Sequence, residues 1–390
     1  MIEPAEPTQG NGLSGMVTLF LAGDVMTGRG IDQRLPHPGD PRIYEPDLTS
    51  SADYVALAER ANGAIPKPID FNYIWGDALG ELADRKPDIR VVNLETAVTR
   101  SAVPEPKRIN YKMSPDNVPV LTAAGIDCCT LANNHVLDWG RPGFLETLDT
   151  LHAAGIETAG AGRAIDEAAA PAALPLPNGG RVLVLGLGST TSGIPRNWAA
   201  TDREPGINLL ANLSLGSVRP IAQRIGKMKM SRDIVVVSIH WGGNWGYEVS
   251  REQMDFAHAL IDEAGADVVF GHSSHHPKAI EVYRERLILY GCGDFIDDYE
   301  GIRGYEEFCD DLVLMYFATL RARDGALEQL AMVPMQIRNF RLHRATSEDT
   351  AWLIDTLNRE GRHFGAGVRL DINNTLNLDC GKEPGVRTID

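Results

Sequence analysis

The stretch from Val268 to His276, Val-Val-Phe-Gly-His-Ser-Ser-His-His, joins a short apolar run to three imidazoles within five residues. An apolar run bounded by glycine is typical of a buried β-strand. In a sheet layered with helices, ligands gather at the carboxyl ends of the strands. Three closely spaced imidazoles suit a transition metal, and a solvent-exposed polar turn is the alternative. The stretch therefore predicts a metal site at a strand end.

Other apolar runs end in the same way, each in a residue suited to metal or proton chemistry. Val17–Ala22 leads to Asp24, Ile89–Val92 to Asn93 and Glu95, Cys128–Ala132 to Asn134 and His135, Ile234–Ile239 to His240, and Leu287–Tyr290 to Asp294. A further run, Val182–Leu187, ends only in glycine and serine. Because strand ends converge at one edge of a sheet, this pattern predicts a single polar site around a metal.

The order of predicted elements indicates the fold class and the domain organisation. Strands and helices alternate early in the chain and more strands follow, which predicts one α/β domain with mixed sheets. We expect a flexible N-terminus over residues 1–15 and the domain over 16–340. Residues 31–75, rich in Pro, Asp and Gly, are expected to form an insertion that acts as a lid or substrate wall. Residues 341–390 are expected to form a C-terminal tail that packs on the domain.

Composition and charge narrow the functional class. The formal net charge is -16, which argues against a nucleic-acid partner, since such proteins need a basic face. The five cysteines lack the regular spacing of a disulfide framework. No apolar stretch approaches the ~20 residues needed to span a bilayer, and the polar start of the chain does not resemble a signal peptide. These features predict a cytoplasmic protein with no membrane span; its oligomeric state stays open.

Single residues support weaker interpretations. An Asp after a strand, such as Asp24, is often only a helix cap, and a lone buried His, such as His240, is often a satisfied core residue. The Asn134-His135 pair is stronger, because Asp138 can orient the imidazole, although an Asn-rich turn is the alternative. The aromatic residues that follow His240 suit either a substrate pocket or a packed glycine-rich loop.

With these residues in order, the chain resembles the CapA family, named for bacterial poly-γ-glutamate capsule synthesis and related to calcineurin-like metallophosphoesterases. The resemblance covers roughly residues 17–340. It depends on five segments in the family's order: Leu21–Met26, Val91–Glu95, Leu131–His135, Ser238–Gly242 and Gly271–His275. It implies the calcineurin-like metallophosphoesterase fold, a layered α/β/β/α sandwich with mixed sheets. One fold hosts many reactions, so the resemblance is less specific for chemistry.

The resemblance also implies a ligand set. The related phosphoesterases hold two metals; one site here would keep Glu95, Asn134, His240 and His272. In the other site, Met26 stands where a histidine is expected, so that only Asp24 and His275 remain beside Glu95. We therefore expect one divalent metal (Ca, Mn, Fe or Zn), doubt a second one and expect no organic cofactor.

The loss of that ligand frees other residues for proton transfer. Asp24 with His275, and His135 with Asp138, are predicted to form two hydrogen-bonded acid/base pairs. Substrate-binding candidates are the cations Arg29, Lys107, Arg108 and Lys112, the aromatics Trp241, Trp245 and Tyr247, and Asp294.

Together these features predict a metal-dependent acid/base enzyme that acts on a peptide or polyglutamate-like substrate. Two reactions fit: amide cleavage or transfer in poly-γ-glutamate metabolism, and Cα proton transfer, as in a peptide epimerase of a natural-product pathway. The alternatives are a metal-dependent phosphoesterase and a non-catalytic accessory protein of a biosynthetic complex.

Overall fold

A computed structural model of the chain describes residues 15–177 and 179–380. The first fourteen residues of the predicted flexible N-terminus and the last ten of the predicted tail lie outside the described residues. The strands are β1 Met16–Val25, β2 Ile89–Leu94, β3 Ala97–Val98, β4 Lys112–Met113, β5 Cys128–Thr130, β6 Glu157–Ala159, β7 Ala161–Gly162, β8 Ala172–Pro175, β9 Arg181–Ser189, β10 Gly206–Ile207, β11 Leu209–Leu210, β12 Ile234–His240, β13 Val268–His272, β14 Ile280–Tyr283, β15 Arg286–Leu289, β16 Asp294–Ile296, β17 Leu312–Arg321, β18 Leu327–Arg338, β19 Arg341–Arg344, β20 Gly367–Leu370 and β21 Leu376–Asp379.

The α-helices lie between strands along the whole of the described chain. They are α1 Arg29–Asp32, α2 Ala52–Asn62, α3 Ala78–Arg85, α4 Pro119–Ala123, α5 Gly140–Ala153, α6 Ile165–Ala168, α7 Leu215–Met228, α8 Arg251–Asp262 and α9 Ser347–Gly361. Helix α8 begins with a capping box, in which Ser250 and Gln253 satisfy each other's backbone N–H groups. Among the described helices, none is long and apolar enough to cross a membrane.

Two large mixed sheets form the centre of the protein. The first has the order β20-β21-β18-β17-β1-β2-β5-β6, with β16 beside β1 and β19 beside β18. The second has the order β11-β9-β12-β13-β15-β14, with β8 beside β9. Strands β1, β2, β5 and β6 run parallel, as do β9, β12, β13 and β15. Parallel strands place their carboxyl ends at one edge of each sheet, where the site lies.

The alternation of side chains along the strands explains the layers. In β1, Leu19 and Leu21 join the core between the two sheets, together with Val236 of β12. Phe20 and Ala22 face the opposite way and pack with α3, α4 and α5. The outer face of the second sheet packs against α7 and α8. The strands of both sheets are buried on both faces and are therefore apolar almost throughout. This is why they could be recognised in the sequence as short apolar runs. The predicted α/β/β/α layering with mixed sheets is confirmed.

The C-terminal residues complete the first sheet. Residues 341–380, expected from sequence to be a tail, supply β19, β20 and β21 and the helix α9. Leu353 of α9 and Leu376 of β21 are fully buried in the core between the sheets. Burying such a side chain contributes about 1.5–3 kcal/mol, so this segment is part of the hydrophobic core.

Candidate metal centre

The carboxyl ends of the two sheets meet at the site. A hydrogen bond of 3.1 Å links the two sheets; it runs from Ser238 Oγ, two residues before the end of β12, to Oγ1 of Thr130, the last residue of β5. Beyond it, His240 Nε2 lies 3.0 Å from Asn134 Oδ1. Each of these side chains leaves its strand at the same edge, so the two sheets together enclose one group of polar residues.

The first group of metal-type donors is Asp24, His240 and His272, whose donor atoms all lie within 4.8 Å of one another. The Nδ1 atoms of His240 and His272 are 2.8 Å apart. His272 Nδ1 lies 3.7 Å from Asp24 Oδ1. Burial lowers the pKa of His272 to about 3 and, with the charges of nearby histidines, holds the pKa of His240 well below its usual range. Both imidazoles are therefore neutral at pH 7, which is the form that binds metals.

Glu95 lies beside this group and is almost fully buried. Its Oε1 lies 3.8 Å from His240 Nε2 and 3.9 Å from His135 Nε2. Its other oxygen, Oε2, is buried and has no hydrogen-bond partner among the described residues. Burial, and then the charges of Asp24 and Asp294, raise the pKa of Glu95 well above its ordinary value. A buried carboxylate oxygen without a partner is costly unless a cation binds it.

Asp24 and Asp294 are brought together by strand pairing. Strand β16 runs parallel to the end of β1 and places the two residues directly opposite each other. Asn93 Nδ2 donates to Asp24 Oδ1 at 2.7 Å, and the backbone N–H of Ser273 donates to Asp24 Oδ2 at 3.2 Å. Burial and the Asp294 charge nevertheless raise the pKa of Asp24 to about 7. Two adjacent buried carboxylates attract a cation or a shared proton.

His275 belongs to a second donor group, with Asp24 and Asp294. Its Nδ1 is 2.9 Å from Asp294 Oδ2, and its Nε2 is 2.7 Å from Asn244 Nδ2. With Nδ1 donating to the carboxylate, Nε2 accepts from the amide, so both ring nitrogens are engaged. Burial lowers the pKa of His275, and the Asp24 charge acts in the opposite direction.

His135 faces the cavity from the other side. Its Nδ1 lies 2.6 Å from Asp138 Oδ2, and Lys107 Nζ lies 2.7 Å from the other oxygen of that carboxylate. The Tyr111 ring stacks on the imidazole at 3.7 Å. No described residue forms a hydrogen bond with His135 Nε2. Burial lowers the pKa of His135 to about 4 in spite of Asp138, so the ring is a neutral base at pH 7.

A cavity of about 730 Å³ opens above these residues. One wall comes from the segment 31–75, including Glu45 and Tyr54. Arg29 fixes this wall: its guanidinium pairs with Glu45 at 3.1 Å and with Asp298, and it lies 3.7 Å from the centre of the Tyr54 ring. A second part of the wall comes from the segment 299–311 and from Trp245. This volume can hold part of a peptide chain.

Comparison with known proteins identifies the family. The profile described as "Bacterial capsule synthesis protein PGA_cap" matches residues 18–299. The chain belongs to this PGA_cap family. A Mycobacterium tuberculosis protein named "Probable polyglutamine synthesis accessory protein" is 44% identical over 365 residues, which cover 93% of this chain and 96% of the relative. The Bacillus anthracis "Capsule biosynthesis protein CapA" is 26% identical over 325 residues, 83% of this chain and 68% of its own. The resemblance to CapA is thereby confirmed.

Among solved structures, a phosphatase from Mycoplasma pneumoniae superposes with a TM-score of 0.45 at 10% sequence identity, covering 82% of this chain and 94% of that one.

The structure brings most of the expected ligands of this PGA_cap chain together. The ring nitrogens of His240 lie 2.8 Å from His272 Nδ1, 3.0 Å from Asn134 Oδ1 and 3.8 Å from Glu95 Oε1. Met26, which stands in place of a histidine ligand, is buried. Of the other expected residues, the cavity is lined by Arg29, Lys107, Arg108, His135, Trp245 and His275.

The expected pairing of Asp24 with His275 is corrected. His275 Nδ1 is hydrogen-bonded to Asp294, and Asp24 is held by Asn93 and Ser273 instead. The pairing of β16 with β1 is a long-range contact that the local sequence does not show. The same contact corrects the expectation that Asp294 binds substrate, because Asp294 is buried behind His275 and does not line the cavity.

Three further substrate-binding candidates do not reach the cavity. The Trp241 side chain is buried, and its Nε1 donates to the Tyr290 carbonyl at 3.0 Å. The Tyr247 ring packs on His276. Lys112 Nζ lies over the Trp139 ring at 3.7 Å. The alternative of a packed glycine-rich loop therefore holds for two of the three aromatics.

Sequence reasoning missed several residues of the cavity. They are Glu45, Tyr54, Tyr111, Asn244, Tyr299, Arg303 and Tyr305. Asn244 lies in the glycine-rich segment after His240, so a signal was present for that residue. The others follow no strand end, and nothing local marks them.

Proposed function

We propose that this chain is a divalent-metal-dependent enzyme that cleaves or transfers amide bonds of a peptide or polyglutamate-like chain. The observation that carries the proposal is the buried, unpartnered Oε2 of Glu95 beside neutral imidazoles. The chain belongs to the capsule synthesis family, and its relatives are named for polyglutamine synthesis and capsule biosynthesis. Both observations support a role in polyglutamate or capsule polymer synthesis.

The donor set fits a metal ion. Glu95, Asn134, His240 and His272 would hold it, with Asp24 alongside. Mixed imidazole and oxygen donors suit Mn²⁺, Fe²⁺ or Zn²⁺. The donors contact each other closely, since His240 touches both His272 and Asn134. A bound ion would polarise the substrate carbonyl and would neutralise the buried carboxylates.

We assign the second donor group to proton transfer and positioning rather than to a second ion. Both nitrogens of His275 are engaged, by Asp294 on one side and Asn244 on the other. Asp294 is also the partner that fixes the orientation of the ring.

His135 is the proposed proton-transfer residue. Asp138 holds the Nδ1 proton, which leaves the Nε2 lone pair directed at the cavity. In hydrolysis, water adds to the carbonyl carbon while Nε2 takes one of its protons. The C–N bond then breaks, and the same proton passes to the departing amine nitrogen. One base in this position is sufficient for amide cleavage.

Cα proton exchange is the second candidate, supported by a histidine–carboxylate pair on either side of the donor cluster. An epimerase of this kind needs two free bases on opposite faces of the Cα atom. Of the histidines in these two pairs, only His135 has a ring nitrogen without a hydrogen bond to a described residue, because Asn244 holds the Nε2 of His275. The geometry therefore favours amide chemistry.

The test is amine release from α- and γ-linked oligoglutamate by the Mn²⁺-loaded protein. We expect His135→Gln to lower the rate by about 10²–10⁴-fold, the usual contribution of acid–base catalysis, with metal content unchanged. His258→Gln is the matched control, because His258 also pairs with a carboxylate, Glu281 at 3.0 Å, but lies outside the cavity.

Other outcomes would contradict the proposal. Deuterium incorporation at Cα in heavy water without amine release would indicate an epimerase. Hydrolysis of an aryl phosphate without amine release would indicate a phosphoesterase. No turnover with any of these substrates would indicate a non-catalytic accessory protein.

A further inference from the structure

The cations that line the cavity differ in whether their charge is already neutralised. Arg29 is bound by Glu45 and Asp298, and Lys107 by Asp138. The other two lining cations, Arg108 and Arg303, form no hydrogen bond or salt bridge through their side chains with any described residue, and both are exposed to solvent.

The segment that carries Arg303 is fixed on both sides of it. Before Arg303, the Glu300 carboxylate accepts the backbone N–H groups of Asn339 at 2.8 Å and Phe340 at 2.5 Å. After it, the Tyr305 ring stacks on Trp245 with centroids 3.9 Å apart and planes 6° apart. These contacts hold the backbone on either side of an unpaired guanidinium at the cavity wall.

The same wall offers apolar area beside that charge. Ile302 is 42% exposed and Tyr305 is 40% exposed, and both line the cavity. Trp245 lies behind Tyr305 and also contacts the His275 ring, at 5.2 Å. A flat apolar surface next to a free guanidinium suits a group made of a short aliphatic stem and a terminal anion.

We infer that Arg108 and Arg303, with the Trp245–Tyr305 stack, form a specificity subsite for a carboxylate-bearing side chain of the substrate. This inference rests on the proposed function and deepens it: the enzyme selects an acidic peptide chain. Carboxylate groups of the substrate bind these guanidinium groups, and the methylene groups pack on Tyr305. The acidic residues Asp47 and Asp310 also line the cavity, so the two arginines determine where an anion is accepted.

The test is calorimetric binding of triglutamate and of neutral triglutamine to Mn²⁺-loaded protein that carries His135→Gln, which removes turnover. We expect Arg108→Gln and Arg303→Gln each to weaken triglutamate binding by about 10-fold or more, the effect of losing one charged hydrogen bond. Triglutamine binding should not change. Arg219→Gln is the matched control, because Arg219 is an exposed arginine of α7 that does not line this cavity.

Two results would overturn the inference. One is a triglutamate affinity that is unchanged in both arginine variants. The other is that the protein with both arginines intact binds triglutamine as tightly as triglutamate. The outcomes separate the two proposals. Charge-dependent binding without amine release would contradict only the proposed function, whereas amine release with an unchanged KM in both variants would contradict only the subsite.

Discussion

At the scale of single residues, the site is defined by carboxyl groups that are almost fully buried, although burial disfavours their charged form. Asp24, Glu95 and Asp294 are each at most 2% exposed. The pKa of each is raised, with burial as the first cause. The imidazoles around them are neutral because burial lowers their pKa values. A cation that binds here replaces protons on the carboxylates and displaces none from the imidazoles.

Metal affinity should therefore depend on pH through the carboxylates. The pKa of Asp24 is about 7 in the metal-free protein, so below pH 7 a proton occupies the site and competes with the ion. We expect the affinity for Mn²⁺ to rise as the pH increases from 5.5 through 7, by about 10-fold per unit for one displaced proton. Calorimetry in buffers of different ionisation enthalpy measures both the affinity and the protons released. An affinity independent of pH over this range would contradict the raised pKa.

Much of the site could be predicted from sequence at this scale, because its residues directly follow apolar strands. Glu95, Asn134, His240 and His272 each stand at such a position, and the structure brings them together. Asp294 stands at such a position too, but its partner could not be predicted. Its contact with His275 depends on how the backbone folds back from β15 to pair β16 with β1.

At the scale of elements, the close approach of β1 and β16 sets the position of Asp24 relative to Asp294. A Cβ atom at Gly23 would lie 1.7 Å from the carbonyl oxygen of Gly293, so no side chain fits there without moving the strands apart. We expect Gly23→Ala to destabilise the protein by about 1–3 kcal/mol, as overpacking does, and to weaken metal binding as well.

Gly226→Ala is the control for this change. Gly226 lies in the exposed part of α7 with nothing within 4 Å of its added Cβ. Alanine there should stabilise the helix by about 0.5–1 kcal/mol and leave metal binding unchanged. Urea unfolding and Mn²⁺ titration of both variants give the comparison. Native metal affinity in Gly23→Ala would show that the strand contact does not shape the site.

At this scale, the contacts that form the walls of the cavity could not be predicted from the sequence. Apart from α2, the segments 31–75 and 299–311 contain little regular structure, so their contacts with the cavity are set by tertiary packing. The Arg29 guanidinium between Glu45 and Asp298 is one such contact. The stack of Tyr305 on Trp245 is another.

At the scale of the whole molecule, the core between the two sheets includes residues from both ends of the described chain. Val17 of β1 and Leu376 of β21 belong to the same cluster. We expect removal of residues 341–390 to prevent folding, because it deletes α9 and three strands of the first sheet and exposes this core. Removal of residues 381–390 alone deletes none of the described elements and is the matched control.

Circular dichroism and size-exclusion chromatography of the two truncated proteins check this expectation. A folded, monodisperse protein ending at residue 340 would show that the C-terminal strands are dispensable. The layered architecture itself could be predicted from strand order and family resemblance. The contribution of residues 341–380 to the sheet could not, because β20 and β21 are short and half-exposed and lack the apolar run of a central strand.

The most direct test of the proposed metal centre is to locate manganese by anomalous scattering in crystals grown with Mn²⁺. We expect one peak bound by Glu95, Asn134, His240 and His272, and no peak in Glu95→Gln. A native protein with no peak at saturating Mn²⁺, or with the same peak in Glu95→Gln, would contradict the metal centre. A second peak among Asp24, His275 and Asp294 would contradict the assignment of that group to proton transfer and positioning.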